Sequence, residues 1–288
     1  MATNTMVMGR NYMVIVERLI ICGVLIMVYG FGIFGNGYAE DKIVRKPCGN
    51  SELAEWKIVI PPPLALSDVS RMLLEDCRWH ISQKDNGDIL VKNLHDEEVN
   101  FPFDVGLLES SGHSSDYDIF KLIDGWLVVR DEGEFGGDSR WYSVDGAKST
   151  MIVDAPVKWL SLYDERYFML TGNDIDSTYG GSFGGMYFDG IRWSYDQFET
   201  FSELPVSAAK QDSGKYVVLT QRALYLVDVV NRTKKILHKG EWWKLNPTSV
   251  VVKSDGVYIG LTKYIVKLSY LGDEMEETWL MHENNKEQ

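Results

Sequence analysis

The stretch "SDGVYIGLTKYIVKLSYL", Ser254–Leu271, places an Asp-Gly pair ahead of two apolar runs separated by a short polar break. Asp-Gly before an alternating apolar and aromatic run is a turn-then-strand signal, so the stretch reads as two antiparallel strands. Similar segments lie upstream: "DNGDILVKN" from Asp85, "IDGWLVVRD" around Asp124, "YDERYFMLTG" around Asp164 and "DSGKYVVLTQ" from Asp212. The turn positions 85, 124, 164, 212 and 255 are separated by 39, 40, 48 and 43 residues.

A period in the forties with several short strands per unit is the signature of β-propeller blades. Each unit carries further strand-like runs. "KYVVLTQ" is followed by "ALYLVDVV" and "KKILHK", and "RWHISQ", "DYDIFKLI", "VKWLSLY" and "TSVVVKS" precede the turns. Four runs per unit rich in Val, Ile, Tyr, Phe and Trp make one antiparallel blade. The expected fold is therefore an all-β propeller of five or six four-stranded blades. The five legible units cover roughly 78–109, 116–155, 157–203, 206–239 and 243–281. Segment 40–77 supplies either a sixth, partial blade or a closing strand at Trp56–Ile60 that pairs with the last blade. The "PPP" after that strand bars it from continuing. Ser67–Cys77 is the best helix candidate, with Ser67 as N-cap.

The last unit carries a resemblance. "EWWKLNPTSVVVKSDGVYIGLTKYIVKLSYL", Glu241–Leu271, resembles the closing segment of a group of exported bacterial β-propeller proteins of unassigned activity. The matching positions are Trp243, Asn246, Pro247, Ser249, Asp255, Gly256, Tyr258 and Gly260. The resemblance covers about thirty residues and implies the fold, with no activity to carry over.

The N-terminus reads as an export signal. Arg10 and Arg18 precede Leu19–Phe34, sixteen residues without a charge, and Gly37-Tyr38-Ala39 offers small residues for cleavage after Ala39. Residues 1–39 are expected to be removed, leaving a periplasmic or secreted protein; uncleaved, the run would be a membrane anchor. The remaining plan is an N-terminal extension over 40–77, a propeller over 78–281 and a polar tail over 282–288. The chain has a formal net charge of −13. Residues 1–39 hold two Arg and one Glu, so the mature form carries −14. That charge excludes nucleic acid and anionic membrane as natural partners and admits a basic protein. Cys48 and Cys77, an even pair in an oxidising compartment, are expected to form a disulfide; the closed loop would stabilise by about 3 kcal/mol.

No catalytic constellation emerges. "GGSFG", Gly180–Gly184, matches G-x-S-x-G, but the nucleophile elbow needs a strand before the Ser and a helix after it. Here a polar loop precedes and "MYFDG" follows, which puts Ser182 in a Gly-rich loop. His113 in "SSGHSSDYD" reads as an exposed inter-blade residue. Trp126, Trp159 and Trp243 read as packing between blades, and Asp124, Asp164 and Asp255 as structural turn residues.

Two acidic loops remain as binding candidates: "RDEGEFGGDSR", with Asp131, Glu132, Glu134, Phe135 and Asp138, and "TGNDIDSTYGG", with Asp174, Asp176 and Tyr179. Phe135 and Phe183, each between glycines, are expected as aromatic tips of mobile insertions. Oxygen ligands at alternate positions can hold Ca²⁺, but Tyr179 stands where an EF-hand loop has its turn glycine. No metal or cofactor is expected, with calcium a weaker option. The reading is a monomeric, exported, non-enzymatic propeller that binds another protein through these loops, as an inhibitor or immunity protein of a basic partner. Glycan binding or hydrolysis is the alternative.

Overall fold

The computed structural model describes residues 50–61, 78–93, 102–103, 116–175, 178–271 and 274–283. They form five antiparallel sheets arranged in a ring, a five-bladed β-propeller. Blade 1 contains β1 (Ser51–Glu52), β3 (Trp79–Gln83) and β4 (Ile89–Asn93). Blade 2 is β5 (Asp116–Leu122), β6 (Gly125–Asp131), β7 (Gly137–Ser143) and β8 (Ser149–Val153). Blade 3 is β9 (Val157–Tyr163), β10 (Arg166–Ile175), β11 (Thr178–Phe188) and β12 (Trp193–Phe201). Blade 4 is β13 (Pro205–Asp212), β14 (Lys215–Thr220), β15 (Ala223–Asp228) and β16 (Thr233–Lys239). Blade 5 is β17 (Ser249–Lys253), β18 (Gly256–Gly260), β19 (Tyr264–Leu271) and β20 (Glu274–His282), extended by β2 (Trp56–Val59).

The repeat phase inferred from the sequence holds. Ser254–Leu271 is the pair of middle strands of blade 5, and residues 85, 124, 164, 212 and 255 lie at the turn joining the first two strands of each blade. The core is laid as wedges between blades, which explains why the middle strands are apolar on both faces. In β18, Val257 and Ile259 pack toward blade 4 while Tyr258 packs toward blade 1. In β14, Val217 and Leu219 face blade 5 and Tyr216 and Val218 face blade 3. A strand flanked by sheets on both sides carries apolar residues on both of its period-2 faces.

The ring closes through the N-terminal segment. β1 pairs with β4 of blade 1, whereas β2 pairs with β20 of blade 5, from Trp56↔His282 to Val59↔Trp279. Segment 51–59 thus spans the seam between the first and last blades. It is the closing strand; among the described residues no sixth blade forms. β2 stops at Val59, two residues before Pro61, since proline has no N–H to offer the ladder. The helix expected over Ser67–Cys77 and the Cys48–Cys77 disulfide fall outside the described residues.

Residues of the Glu241–Leu271 stretch build this seam and the turns beside it. The Ser249 hydroxyl accepts a 2.8 Å hydrogen bond from the Ile81 N–H, and Thr248 donates to the Trp79 carbonyl. A Cβ at Gly260 would stand 2.5 Å from the Trp79 carbonyl oxygen and 2.6 Å from Ser249 Oγ, so only glycine fits between blades 5 and 1. Asp255 accepts from the Tyr258 hydroxyl (2.8 Å) and from Lys267 Nζ (2.7 Å). Lys267 holds its carboxyl below the usual carboxylate range. Gly256 follows at φ 143°, a conformation side chains rarely adopt. Asn246 caps the 3₁₀ turn Trp242–Leu245 in the left-handed region. These residues supply closure and turn chemistry.

Candidate functional site

Antiparallel strands alternate direction, so the turns after the first and third strands of every blade share one face of the ring. The loops after the second and fourth strands share the other. Both acidic loops follow second strands and therefore lie on that second face, in neighbouring blades 2 and 3.

The described carboxylates of the blade 2 loop are paired within the chain. Asp131 pairs with Lys158 of blade 3 and accepts the Gly133 N–H. The Glu132 carboxylate lies 3.7 Å from Arg130 Nε. Asp138, expected as an exposed ligand, is buried and accepts from Arg130 Nε (3.1 Å) and Arg140 Nε (2.8 Å). Phe135 is an exposed tip on the 3₁₀ turn Gly133–Phe135.

The blade 3 segment is not an insertion. β10 and β11 run on as one long hairpin, paired Asp174↔Tyr179 and Ile175↔Thr178. Asp176 and the side chains of Glu134, Asp174 and Tyr179 lie outside the described residues. Phe183 corrects the expectation most clearly. It is fully buried, in a cluster with Trp159, Phe168, Phe198 and Tyr216 at ring distances of 5.4–6.2 Å. Alternation along β11 turns it inward, and the flanking glycines are strand residues.

Ser182 is likewise corrected from loop to strand. Its hydroxyl is buried within 2.8 Å of both the Thr171 and Tyr195 hydroxyls. Burial pushes the Tyr195 phenol up to about 12. Among the described residues its side-chain partners are these two hydroxyls, which form a buried hydroxyl chain. His113 lies outside the described residues. Among the described residues no three His, Cys, Asp or Glu side chains converge as a metal site.

The turn carboxylates hold the scaffold. Asp124 accepts from the indoles of Trp141 (3.2 Å) and Trp193 (3.1 Å), tying blade 2 to blade 3. Trp159 packs in the seam between blades 3 and 4 as expected. Trp126 is half-buried and donates to the Val144 carbonyl at 3.4 Å. Trp243 is half-buried between Arg222 and Lys244, and its neighbour Trp242 takes the fully buried position.

Two concavities stand out among the described residues. The first is the central channel, about 310 Å³, walled by the first strands of blades 1, 3, 4 and 5, with Gln83, Trp159, Ser207, Lys210 and Ser249 among its lining. Asp118 lies on β5, the first strand of blade 2. Loss of hydration raises the Asp118 carboxyl above its ordinary value, and Asp131 and Asp116 add to the rise against the opposing pull of Lys158. A carboxyl raised in the folded state contributes stability below its unfolded pKa and loses it as pH rises through the folded value. Asp118 occupies an exposed position on β5, where water screens the carboxylate, so Asp118→Asn should raise the melting temperature at pH 7 by no more than about 1–2 °C and leave it unchanged near pH 3. Paired thermal melts at the two pH values check this.

The second is a pocket of about 380 Å³ on the turn face at the seam of blades 3 and 4. Phe168 and Met186 are its most buried lining residues. Tyr163, Asp164 and Arg166 come from the first turn of blade 3, Tyr187, Asp196 and Phe198 from its outer strands, and Val229, Val230 and Arg232 from the last turn of blade 4. Arg232 reaches back to Asp196 at 2.8 Å and lies over the Phe198 ring at 5.6 Å. Among the described residues, five non-glycine residues have positive φ. Three of them, Asp164 (49°), Glu165 (61°) and Arg232 (51°), sit in the two turns that frame this pocket. Backbone held in this region is strained and gathers at binding and active sites. No sequence signal marked the pocket, because its two turns are some seventy residues apart and meet only through blade stacking.

The same face carries six of the exposed large apolar side chains of the described residues: Ile123, Val144, Phe188, Ile191, Tyr270 and Leu271 all lie in or beside its turns.

No known protein family's profile matches the chain, and no curated protein matches it. Solved structures with a similar backbone are distant. The N-terminal domain of Nup159 is 13% identical, with 54% of this chain and 41% of that one covered and a TM-score of 0.33. The major Malassezia sympodialis allergen Mala s 1 is 11% identical, with 53% and 75% covered and a TM-score of 0.30. The extracellular domain of a one-component system protein from B. thetaiotaomicron is 13% identical, with 71% and 31% covered and a TM-score of 0.28. The chain thus spans 41% of the first of these neighbours and 31% of the third, and none of them assigns it an activity.

Proposed function

We propose that this chain is an exported, non-enzymatic β-propeller that binds another protein, and that the contact surface is the turn face. The observation carrying the reading is the set of exposed apolar side chains on that face, from Ile123 and Val144 through Phe188 and Ile191 to Tyr270 and Leu271. Exposed apolar groups gathered on one surface mark interaction sites on soluble proteins. Turns fixed by Asp124 and Asp255 present them on a rigid scaffold, the arrangement in which loops carry binding. The acidic loop of blade 2 supports the contact less, because Asp131, Glu132 and Asp138 are paired within the chain. Export is supported by the Arg-flanked apolar segment at the N-terminus.

The concrete form of the proposal is an inhibitor or immunity protein for a basic toxin or enzyme, whose approach the −13 charge accelerates. The experiment is capture of a partner from the native extracellular or periplasmic fraction, followed by measurement of its affinity for variants. Phe188→Asp with Ile191→Asp should weaken that affinity by at least about tenfold, the loss expected when an interface core is broken. Glu132→Lys should change it less than threefold. Equal affinity for the Phe188/Ile191 variant sinks the proposed surface. An association rate indifferent to salt sinks the basic partner.

A further inference from the structure

We propose that the pocket at the seam of blades 3 and 4 binds a neutral sugar. This is a second binding function, independent of whether the surrounding face docks a protein. The argument is one of elimination by charge. Within the pocket, Arg166 and Arg232 are matched by Asp164 and Asp196, so the lining is electrically balanced. An anionic ligand would meet two carboxylates there and approach a chain of net charge −13. A cationic ligand would meet two guanidinium groups. Neither gains from the site, and a neutral ligand is penalised by nothing.

The groups left over are those a sugar uses. Arg232 and Asp196 are engaged with each other. The side chains of Asp164 and Arg166 have no hydrogen-bond or ionic partner among the described residues. They stand two positions apart on one rim, one an acceptor and the other a fork of donors. Sugar hydroxyls donate and accept at once and can satisfy both. Tyr187 is 47% exposed, and its ring makes no stacking contact among the described residues. It offers an open aromatic face for the C–H side of a pyranose. Tyr163 on the opposite rim is fixed by the Ser213 hydroxyl at 2.9 Å and by Lys210 at 4.4 Å from its ring. The strained turns at Asp164, Glu165 and Arg232 hold these groups in place before any ligand arrives. A volume near 380 Å³ lies at the lower end of the small-molecule range, suited to one or two sugar rings.

The test is ligand-observed NMR on the purified protein. Its probes are glucose, galactose, mannose, N-acetylglucosamine and their β-linked disaccharides. Glucuronate and glucosamine serve as the charged counterparts. At least one neutral sugar should bind with Kd on the order of 0.1–1 mM, and its charged counterpart should bind at least about fivefold more weakly. Tyr187→Ala and Arg166→Met each alter an exposed side chain and should keep the melting temperature. Each should weaken the sugar by about fivefold or more. Failure of every neutral sugar at 10 mM (about a tenfold excess over the weaker expected Kd) overturns the proposal. So does preference for a charged sugar, or binding that survives both variants. Loss of the protein partner alone leaves these readouts untouched, so the two functions fail separately.

Discussion

Phe183→Ala is expected to destabilise the fold by about 3–5 kcal/mol, whereas Phe135→Ala should cost no more than about 0.5 kcal/mol. Both residues stand between glycines in the sequence and look alike there. In the structure, Phe183 is fully buried, and its ring meets Trp159, Phe168, Phe198 and Tyr216 across the seam of blades 3 and 4. Truncation removes the ring and leaves a cavity bounded by rigid aromatic neighbours that cannot collapse into it. The buried Tyr216 hydroxyl has no hydrogen-bond partner among the described residues, so a void beside it invites water and loosens the seam further. Phe135 is 59% exposed on a 3₁₀ turn, so truncation there removes far less buried apolar surface. Chemical denaturation of the two variants measures the difference directly. For a domain of this size the thermal midpoint of Phe183→Ala should fall on the order of 10 °C. Equal effects at the two positions would contradict the inward placement of β11.

Trp56→Ala is expected to cost about 3–5 kcal/mol as well, by a different route. Trp56 is buried, donates its indole N–H to the Ser51 hydroxyl at 3.0 Å, and packs edge-on against Trp79 at 5.3 Å and His282 at 5.5 Å. It is the pin by which the closing strand joins the first and last blades. Its loss should free β2 from β20 and expose the edges of blades 1 and 5 together. Amide hydrogen exchange should then accelerate first in β2, β20 and β3, while β10 and β11 retain protection until global unfolding. Uniform acceleration through all five blades would show that the ring does not depend on this closure.

The turn residues and the middle strands were readable because blade geometry imposes them locally. Asp255-Gly256 and Tyr258 act within one hairpin, so spacing along the chain reveals their role. The closing strand at Trp56 was readable for a related reason: an apolar run cut off by prolines can do little except end a sheet. The pairing of the acidic loop is not legible in the sequence, because charge along a chain says nothing of which cations face it. Lys158 lies in the next blade, and Arg130 and Arg140 flank the loop on strands whose register brings them to Asp138. The stretch around Phe183 reads as a loop because it is rich in glycine, yet these glycines are β-strand positions, Gly181 and Gly184 packed closely against neighbouring backbone and side chains.

What the sequence determined by itself was the repeat: five copies of a turn and an apolar run, hence a ring of blades. Local interactions within some forty residues suffice for that, and they recur at every copy. What only the tertiary structure decided was which side chains are free to meet a ligand. Burial of Phe183, neutralisation of Asp131 and Asp138, and the pocket between Asp164 and Arg232 all depend on contacts between separate strands or blades. Such contacts are fixed by how neighbouring sheets stack, and no spacing within a single repeat encodes them.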